Sequence, residues 1–222
     1  MIVDTMNDRE VANEVLADFP NARRYGVNVL WKNARRKIVR GVASSLVFTY
    51  VSPKKNTWII NVRKANSKKH LDIYFGCLRI KAKGYGLMIP GLANVRRASL
   101  RATDVPSVIY LTPHFFSRVN ERLRLGIVNP IDVVKWVCSR RFDGLVDTTP
   151  GLSGKNDRDT MNPIHLCSEF GVSMGCYNGD ILVIRTFITY DMCNREQLTK
   201  FNFLKDHSHI LIPLTLEEAF GL

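Results

Sequence analysis

Apolar and polar positions recur along the chain with two periods, and each period predicts its own kind of element. Near the start, Val11, Val15, Leu16 and Phe19 fall at helical spacing behind Asn7 and Asp8, either of which can cap a helix. Pro20 and Asn21 are expected to close it. From Gly26 a second helix is predicted, with Val27, Trp31, Ala34, Ile38 and Val42 on an apolar face. Lys32, Arg36, Lys37 and Arg40 occupy its opposite face. The period then drops to two. Leu46, Phe48 and Tyr50 alternate in LVFTYV, SPKKN turns the chain, and Trp58, Ile60 and Val62 alternate on the way back, which reads as a hairpin. LDIYFGCLRIK predicts a third strand broken near Gly76, GYGLMIPG a loop or an edge strand, and Val108 to Leu111 a short strand.

The helical period returns in LTPHFFSRVNERLRLGIVNPIDVVKWV, from Leu111 to Val137. Thr112 and Pro113 suit the cap and first position of one helix, and Asn129 and Pro130 repeat that start for another. Gly126 stands where the intervening turn needs a left-handed residue. Phe115, Val119 and Leu123 form an apolar stripe, and His114, Arg118 and Arg122 run beside it. Residues 143–163 are polar and rich in Gly, Pro, Asp and Thr, which predicts a long loop. In GVSMGCYNGDILVIRTFITYDM, Asn178-Gly179 between two β-rich runs predicts a second hairpin. Alternation puts Leu182, Ile184, Thr186 and Ile188 on one face of its return strand and Ile181, Val183, Arg185 and Phe187 on the other. Asn194 caps a last helix through Gln197 toward Phe203. The fold class these elements predict is α+β.

Charge adds what the pattern cannot. Net charge is +12 over 222 residues, and its placement is uneven. Residues 20–101 carry 19 Lys and Arg against one acid, Asp72, while residues 102–222 carry 12 against 14. A continuous basic block of this kind points to a polyanion, and nucleic acid is the expected one. The candidate contacts are Lys32, Arg35, Arg36, Lys37, Arg40, Lys54, Lys55, Lys68, Lys69, Arg96 and Arg97. Tyr50, Trp58, Tyr74 and Tyr85 are interleaved with this charge and could stack bases or fill a core. The start lacks the pattern of a signal peptide, no apolar run reaches the length of a membrane span, and the five cysteines form no CxxC pair. These features predict a reduced, cytoplasmic setting. The expected partner is RNA, free or ribosome-bound, with no membrane, no metal and no cofactor.

The His114, Arg118, Arg122 stripe is a candidate phosphate-handling surface, because guanidinium forks match phosphate oxygens and histidine moves protons near neutral pH. The same stripe can equally be a solvated helix face. From His114 onward the chain resembles the H-x3-R-x3-R … G-I-x-x-x-D-V opening of small toxin-like families with the RelE/barnase/EndoU/colicin ribonuclease fold; here it reads His114, Arg118, Arg122, Gly126-Ile127 and Asp132-Val133. The run Val183 to Thr189, with Thr186 and Thr189, looks like the last strands of that fold. The resemblance spans about residues 108–200.

It implies a RelE/barnase-like domain over residues 102–222, helices packed on an antiparallel sheet; residues 1–101 lie outside the resemblance and read from their own pattern as a basic helix-and-hairpin region. It further implies a metal-independent endoribonuclease. On that reading His114 takes the proton of a ribose 2′-OH, its pKa held down by the Arg neighbours, and Arg118 and Arg122 stabilise the pentacoordinate phosphate. Arg185 or Thr186 orients that phosphate in the same cleft, and Tyr190 or His165 protonates the leaving group. The alternative is a non-catalytic RNA- or ribosome-binding protein on the same scaffold.

Overall fold

The computed structural model describes residues 1–64, 71–82, 84–91, 107–140, 145–147 and 163–207. The chain begins with α1 (Asp8–Tyr25), a π-helical turn (Gly26–Leu30) and α2 (Trp31–Val39). Five strands follow: β1 (Ser45–Val51), β2 (Thr57–Lys64), β3 (Leu71–Lys81), β4 (Gly84–Pro90) and β5 (Val108–Leu111). Then come α3 (Pro113–Arg122), α4 (Pro130–Ser139), β6 (Leu145–Asp147), β7 (Pro163–Cys167), β8 (Val172–Asn178), β9 (Ile181–Ile188) and α5 (Arg195–His207). The class is α+β. One nine-stranded sheet runs in the order β1-β2-β3-β4-β5-β9-β8-β7-β6. It is mixed rather than antiparallel throughout, because β5 and β9 pair in parallel. The ladder between β4 and β5 crosses the division expected at residues 101 and 102.

Helices cover both faces. Trp58, Ile60 and Val62 of β2 point to the first face and pack with Val11, Val15 and Ala22 of α1 and Ala34 and Ile38 of α2. Ile59, one residue out of phase, points to the second face with Leu87, Phe115 and Val119 of α3 and Val134 of α4. A third cluster, Cys167, Val172 and Phe201, lies under α5. Burying side chains of this size stabilises by roughly 1.5–3 kcal/mol each.

Several local expectations hold for the reasons the residues suggest. Asn7 caps α1 in a reciprocal box, accepting from Glu10 N–H at 3.0 Å while its own N–H donates to Glu10 Oε2 at 2.8 Å. Thr112 Oγ1 accepts from Phe115 N–H at 3.2 Å at the start of α3. Asn129 Oδ1 accepts from Ile131 N–H at 3.3 Å at the start of α4. Gly126 has φ +65°, the left-handed turn expected of it. The β1–β2 and β8–β9 hairpins are both present.

Other expectations are corrected. Pro20 does not end α1, which continues to Tyr25 because Ala22, fully buried, extends the face begun by Val11 and Val15. β3 is unbroken at Gly76. Residues 84–90 form an interior strand between β3 and β5, since both of its edges find partners. Val42 lies outside the apolar face, 74% exposed beyond the end of α2. Lys68, Lys69, Arg96, Arg97 and nearly all of the long loop expected at 143–163 lie outside the described residues.

The largest departure is in β9. Met174 pairs with Thr186 and Gly175 with Ile184, so Arg185 is an extra residue, a β-bulge. The bulge reverses the alternation after it. Phe187 joins Leu182 and Ile184 on the second face, packed edge-on to Phe115 at 6.4 Å. Thr186 pairs with Met174 and shares the side of Met174 and Ile188, the side of α5. Gly175 permits this geometry, because a Cβ there would stand 2.1 Å from the Val183 carbonyl oxygen.

Candidate functional site

Three groups of side chains account for the predicted site residues. The first is the stripe on α3. Helical spacing places His114 and Arg118 one turn apart on the outer side of the helix. Arg118 Nε donates to His114 Nε2 at 3.4 Å, and its Nη1 donates to Glu121 Oε2 at 2.6 Å. Arg122 is turned inward instead and donates to the carbonyl oxygen of Phe187. It ties α3 to β9. Thr112 strengthens the same seam, with its N–H donating to the Ile184 carbonyl at 3.1 Å and its hydroxyl to the Arg185 carbonyl at 3.3 Å. The Arg185 backbone therefore abuts the start of α3, and its side chain is exposed.

The second group lies across the sheet. Thr186 and His165 both pair with Met174, from β9 and β7 respectively, and so occupy one row on the α5 side. His165 is 5% exposed with its ring 5.6 Å from that of Phe201. Tyr190 donates its hydroxyl to the Ser168 carbonyl at 2.5 Å, and burial, then the neighbouring Cys167 and Cys193, pushes its pKa up to about 12. The sheet thus separates Thr186, His165 and Tyr190 from His114 and Arg118. For Thr186 the bulge at Arg185 is the cause, and no reading of the alternation alone would place it.

Between the sheet and the α3–α4 layer lies a cavity of about 130 Å³, bordered by Leu87, Ile89, Phe115 and Val137, with Arg63 and Tyr74 also on its wall. Neither His114 nor Arg118 lines it. Burial pushes the Cys138 thiol beside it up to about 12, so this group stays protonated at neutral pH. No group of three His, Cys, Asp or Glu suited to a metal occurs among the described residues.

The third group is the basic block. Two of its arginines are internal. Arg63 is 5% exposed, 3.8 Å from Asp72, with its guanidinium 4.0 Å over the Tyr74 ring and donating to the Arg140 carbonyl at 3.4 Å. Arg79 is 1% exposed, paired with Asp8 and donating to the Met6 carbonyl at 2.8 Å. Asp72, the one acid of the block, is itself buried. What remains outside is cationic. Arg23 and Arg24 at the end of α1, and Arg35, Arg36, Lys37 and Arg40 on and after α2, are all exposed. Lys54 and Lys55 at the β1–β2 turn are exposed as well, with Lys54 3.8 Å from Glu14. Of Lys32 the structure describes the backbone position on α2.

Trp58 is no stacking platform. It is fully buried and its Nε1 donates to Asp18 at 2.9 Å. Tyr50 stacks on Tyr25 with centroids 4.0 Å apart. Asp18, which sequence reasoning passed over, is the centre of a buried network. It is 0% exposed and accepts from Ser52 Oγ at 2.6 Å, Asn56 Nδ2 at 2.9 Å, Trp58 Nε1 at 2.9 Å and Asn21 Nδ2 at 2.9 Å. Burial raises its pKa, but the four donated bonds outweigh this and hold the carboxyl below its usual range. The signal for it was present: Asp18 sits between Val15 and Ala22 on the apolar face of α1.

No helix among the described residues is long and apolar enough to cross a membrane. Comparison of the chain with protein-family models, with curated proteins and with solved structures returns no match.

Proposed function

We propose that the protein binds RNA, and that the end of α1 together with α2 forms the contact surface. One observation carries this reading. The surface presents Arg23, Arg24, Arg35, Arg36, Lys37 and Arg40 to solvent, while the single acid among residues 20–101 is buried against Arg63. Phosphates neutralised by such side chains release counterions, which supplies affinity without base contacts. The choice of RNA over DNA rests on the family resemblance around His114.

Metal-independent ribonuclease action at the α3 stripe is the second reading. It is favoured by the pairing of His114, exposed, with Arg118, half-buried, whose Nε donates to His114 Nε2 at 3.4 Å. It comes second because Arg122 is committed to the Phe187 carbonyl and because Thr186, His165 and Tyr190 face the other side of the sheet. The RelE/barnase-like arrangement of residues 102–222 belongs to this second reading. Incubation of the purified chain with mixed single-stranded RNA, with and without chelator, separates the two. Binding without cleavage supports the first. Cleavage that survives chelator, leaves 2′,3′-cyclic phosphate ends and falls at least about a hundredfold in His114→Ala establishes the second. Absence of binding at low salt overturns both.

A further inference from the structure

β1 ends the sheet, with β2 as its neighbour on one side and no strand among the described residues on the other. In an antiparallel ladder the N–H and C=O of a residue point to the same side, and successive residues alternate. Lys64 N–H donates to the Ser44 carbonyl at 3.0 Å and Ser52 N–H to the Asn56 carbonyl at 2.9 Å. With the register Leu46↔Val62, Phe48↔Ile60 and Tyr50↔Trp58, this assigns the even-numbered residues of β1 to the bonds with β2. Ser45, Val47, Thr49 and Val51 therefore aim their backbone donors and acceptors away from the sheet.

Proteins usually blunt such an edge with charge, proline, a bulge or brevity. The opposite edge, β6, is only three residues long. β1 uses none of these devices. Its seven residues, SLVFTYV, contain no charge and no proline, and its pairing with β2 runs without a register shift. Leu46, Phe48 and Tyr50 are half-buried against the first-face core, Val47 against the second, and Val51 is 60% exposed.

We infer that β1 is a strand-addition edge and that its occupant is a second copy of this chain, joined about a two-fold axis at Phe48. The sequence of the edge is self-complementary in that arrangement. Antiparallel pairing sets Phe48 of one copy against Phe48 of the other, Leu46 against Tyr50, Val47 against Thr49 and Ser45 against Val51. Every outward-facing residue then meets an outward-facing residue, so the unbonded backbone groups of both copies are satisfied together. Aromatic and β-branched pairs lie opposite each other on the same face, and no like charges meet within the strand. A two-fold contact of this kind closes on itself and leaves no further β1 edge. Outside the strand, the arrangement brings the Lys54–Lys55 turn of one copy beside the Arg40 segment of the other. Added salt screens that repulsion and strengthens the dimer, whereas it weakens RNA binding.

The test is sedimentation equilibrium of nuclease-treated full-length chain over a roughly hundredfold concentration range, at low and at moderate salt. Two variants accompany the wild type. Thr49→Pro removes an outward N–H that bonds to nothing in β2, a place where an edge strand accepts proline. Thr49→Lys adds a charge at an exposed position and keeps the backbone donor. The expected result is a wild-type dimer that tightens with salt, with the dissociation constant of each folded variant raised at least about tenfold. A monomer at every concentration, a dimer indifferent to both variants, or a dimer that weakens as salt rises would overturn the inference. Pairing of β1 with an extended peptide in place of a second copy would appear as the first of these outcomes.

Discussion

The layer formed by α1 and α2 and the layer formed by α3 and α4 cover opposite faces of one sheet, and they treat charge in opposite ways. On the first face the one buried carboxylate of α1, Asp18, is satisfied by neutral donors, so no surface cation is consumed in compensating it. On the second face two of the outer cations pair with acids of their own helix, Arg118 with Glu121 at 2.6 Å and Lys135 with Asp132 at 3.4 Å. The first helical layer thus presents a continuous row of cations, whereas the second pairs off Arg118 and Lys135 and leaves Arg124 and Arg140 exposed at its helix ends. Net charge alone hides this, because Arg63 and Arg79 count toward the basic block and yet lie inside, holding the Arg140 carbonyl and the Met6 carbonyl.

The largest effect on this contrast should come from Asp18→Ala. It leaves the donors of Ser52, Asn56, Trp58 and Asn21 without their shared acceptor, and the expected loss is about 3 kcal/mol or more, read from chemical denaturation. Acid should act on the same group. The folded-state pKa of Asp18 lies below its unfolded value, so its contribution is fully present above the unfolded value and fades as pH falls through the folded one. Melting temperature should therefore drop below about pH 4 in the wild type and less steeply in Asp18→Asn. An acid limb of unchanged slope in that variant would remove Asp18 from the account.

Arg122→Met ranks next. It deletes the bond to the Phe187 carbonyl that joins α3 to β9, at an expected cost of roughly 1.5–3 kcal/mol in thermal or denaturant unfolding. A change near zero would mean that Arg122 is available for a ligand after all. Glu121→Gln should do least. It removes an exposed partner of Arg118, and the expected shift is under about 1 kcal/mol, diminishing further with salt.

Much of the fold was legible in the residues because local chemistry dominated there. Asn7, Thr112, Asn129 and Asn194 cap the helices they were expected to cap. Alternation found β1, β2 and β9, and Asn178-Gly179 marked the last hairpin. Where tertiary packing decided, local signals misled. Pro20 lies within α1 because Ala22 gains burial beyond it. The four residues of β5 join the two parts of the sheet by one parallel and one antiparallel ladder, a long-range pairing that no short pattern encodes.

The candidate site was legible only in its parts. Helical spacing correctly put His114 beside Arg118. The facing of Thr186 required knowing that Arg185 is bulged, and the role of Arg122 required knowing that a β9 carbonyl waits within its reach. Within the basic block Arg35, Arg36, Lys37 and Arg40 are exposed on and after α2, whereas Arg63 and Arg79 are structural because Asp72 and Asp8 stand beside them.

The most direct test compares RNA binding of two variants by fluorescence anisotropy across a salt series: Arg36, Lys37 and Arg40 reversed to Glu on the first face, and His114→Ala with Arg118→Ala on the second. If the α1–α2 surface is the interface, the wild type should bind with a log affinity that falls steeply with log salt. The first variant should lose affinity at least about tenfold, and its slope should be shallower by about 2, near 0.7 for each of three lost phosphate contacts. The second should bind within about twofold of wild type. The opposite pattern, with binding lost in the second variant and retained in the first, would contradict the assignment and move the interface to α3.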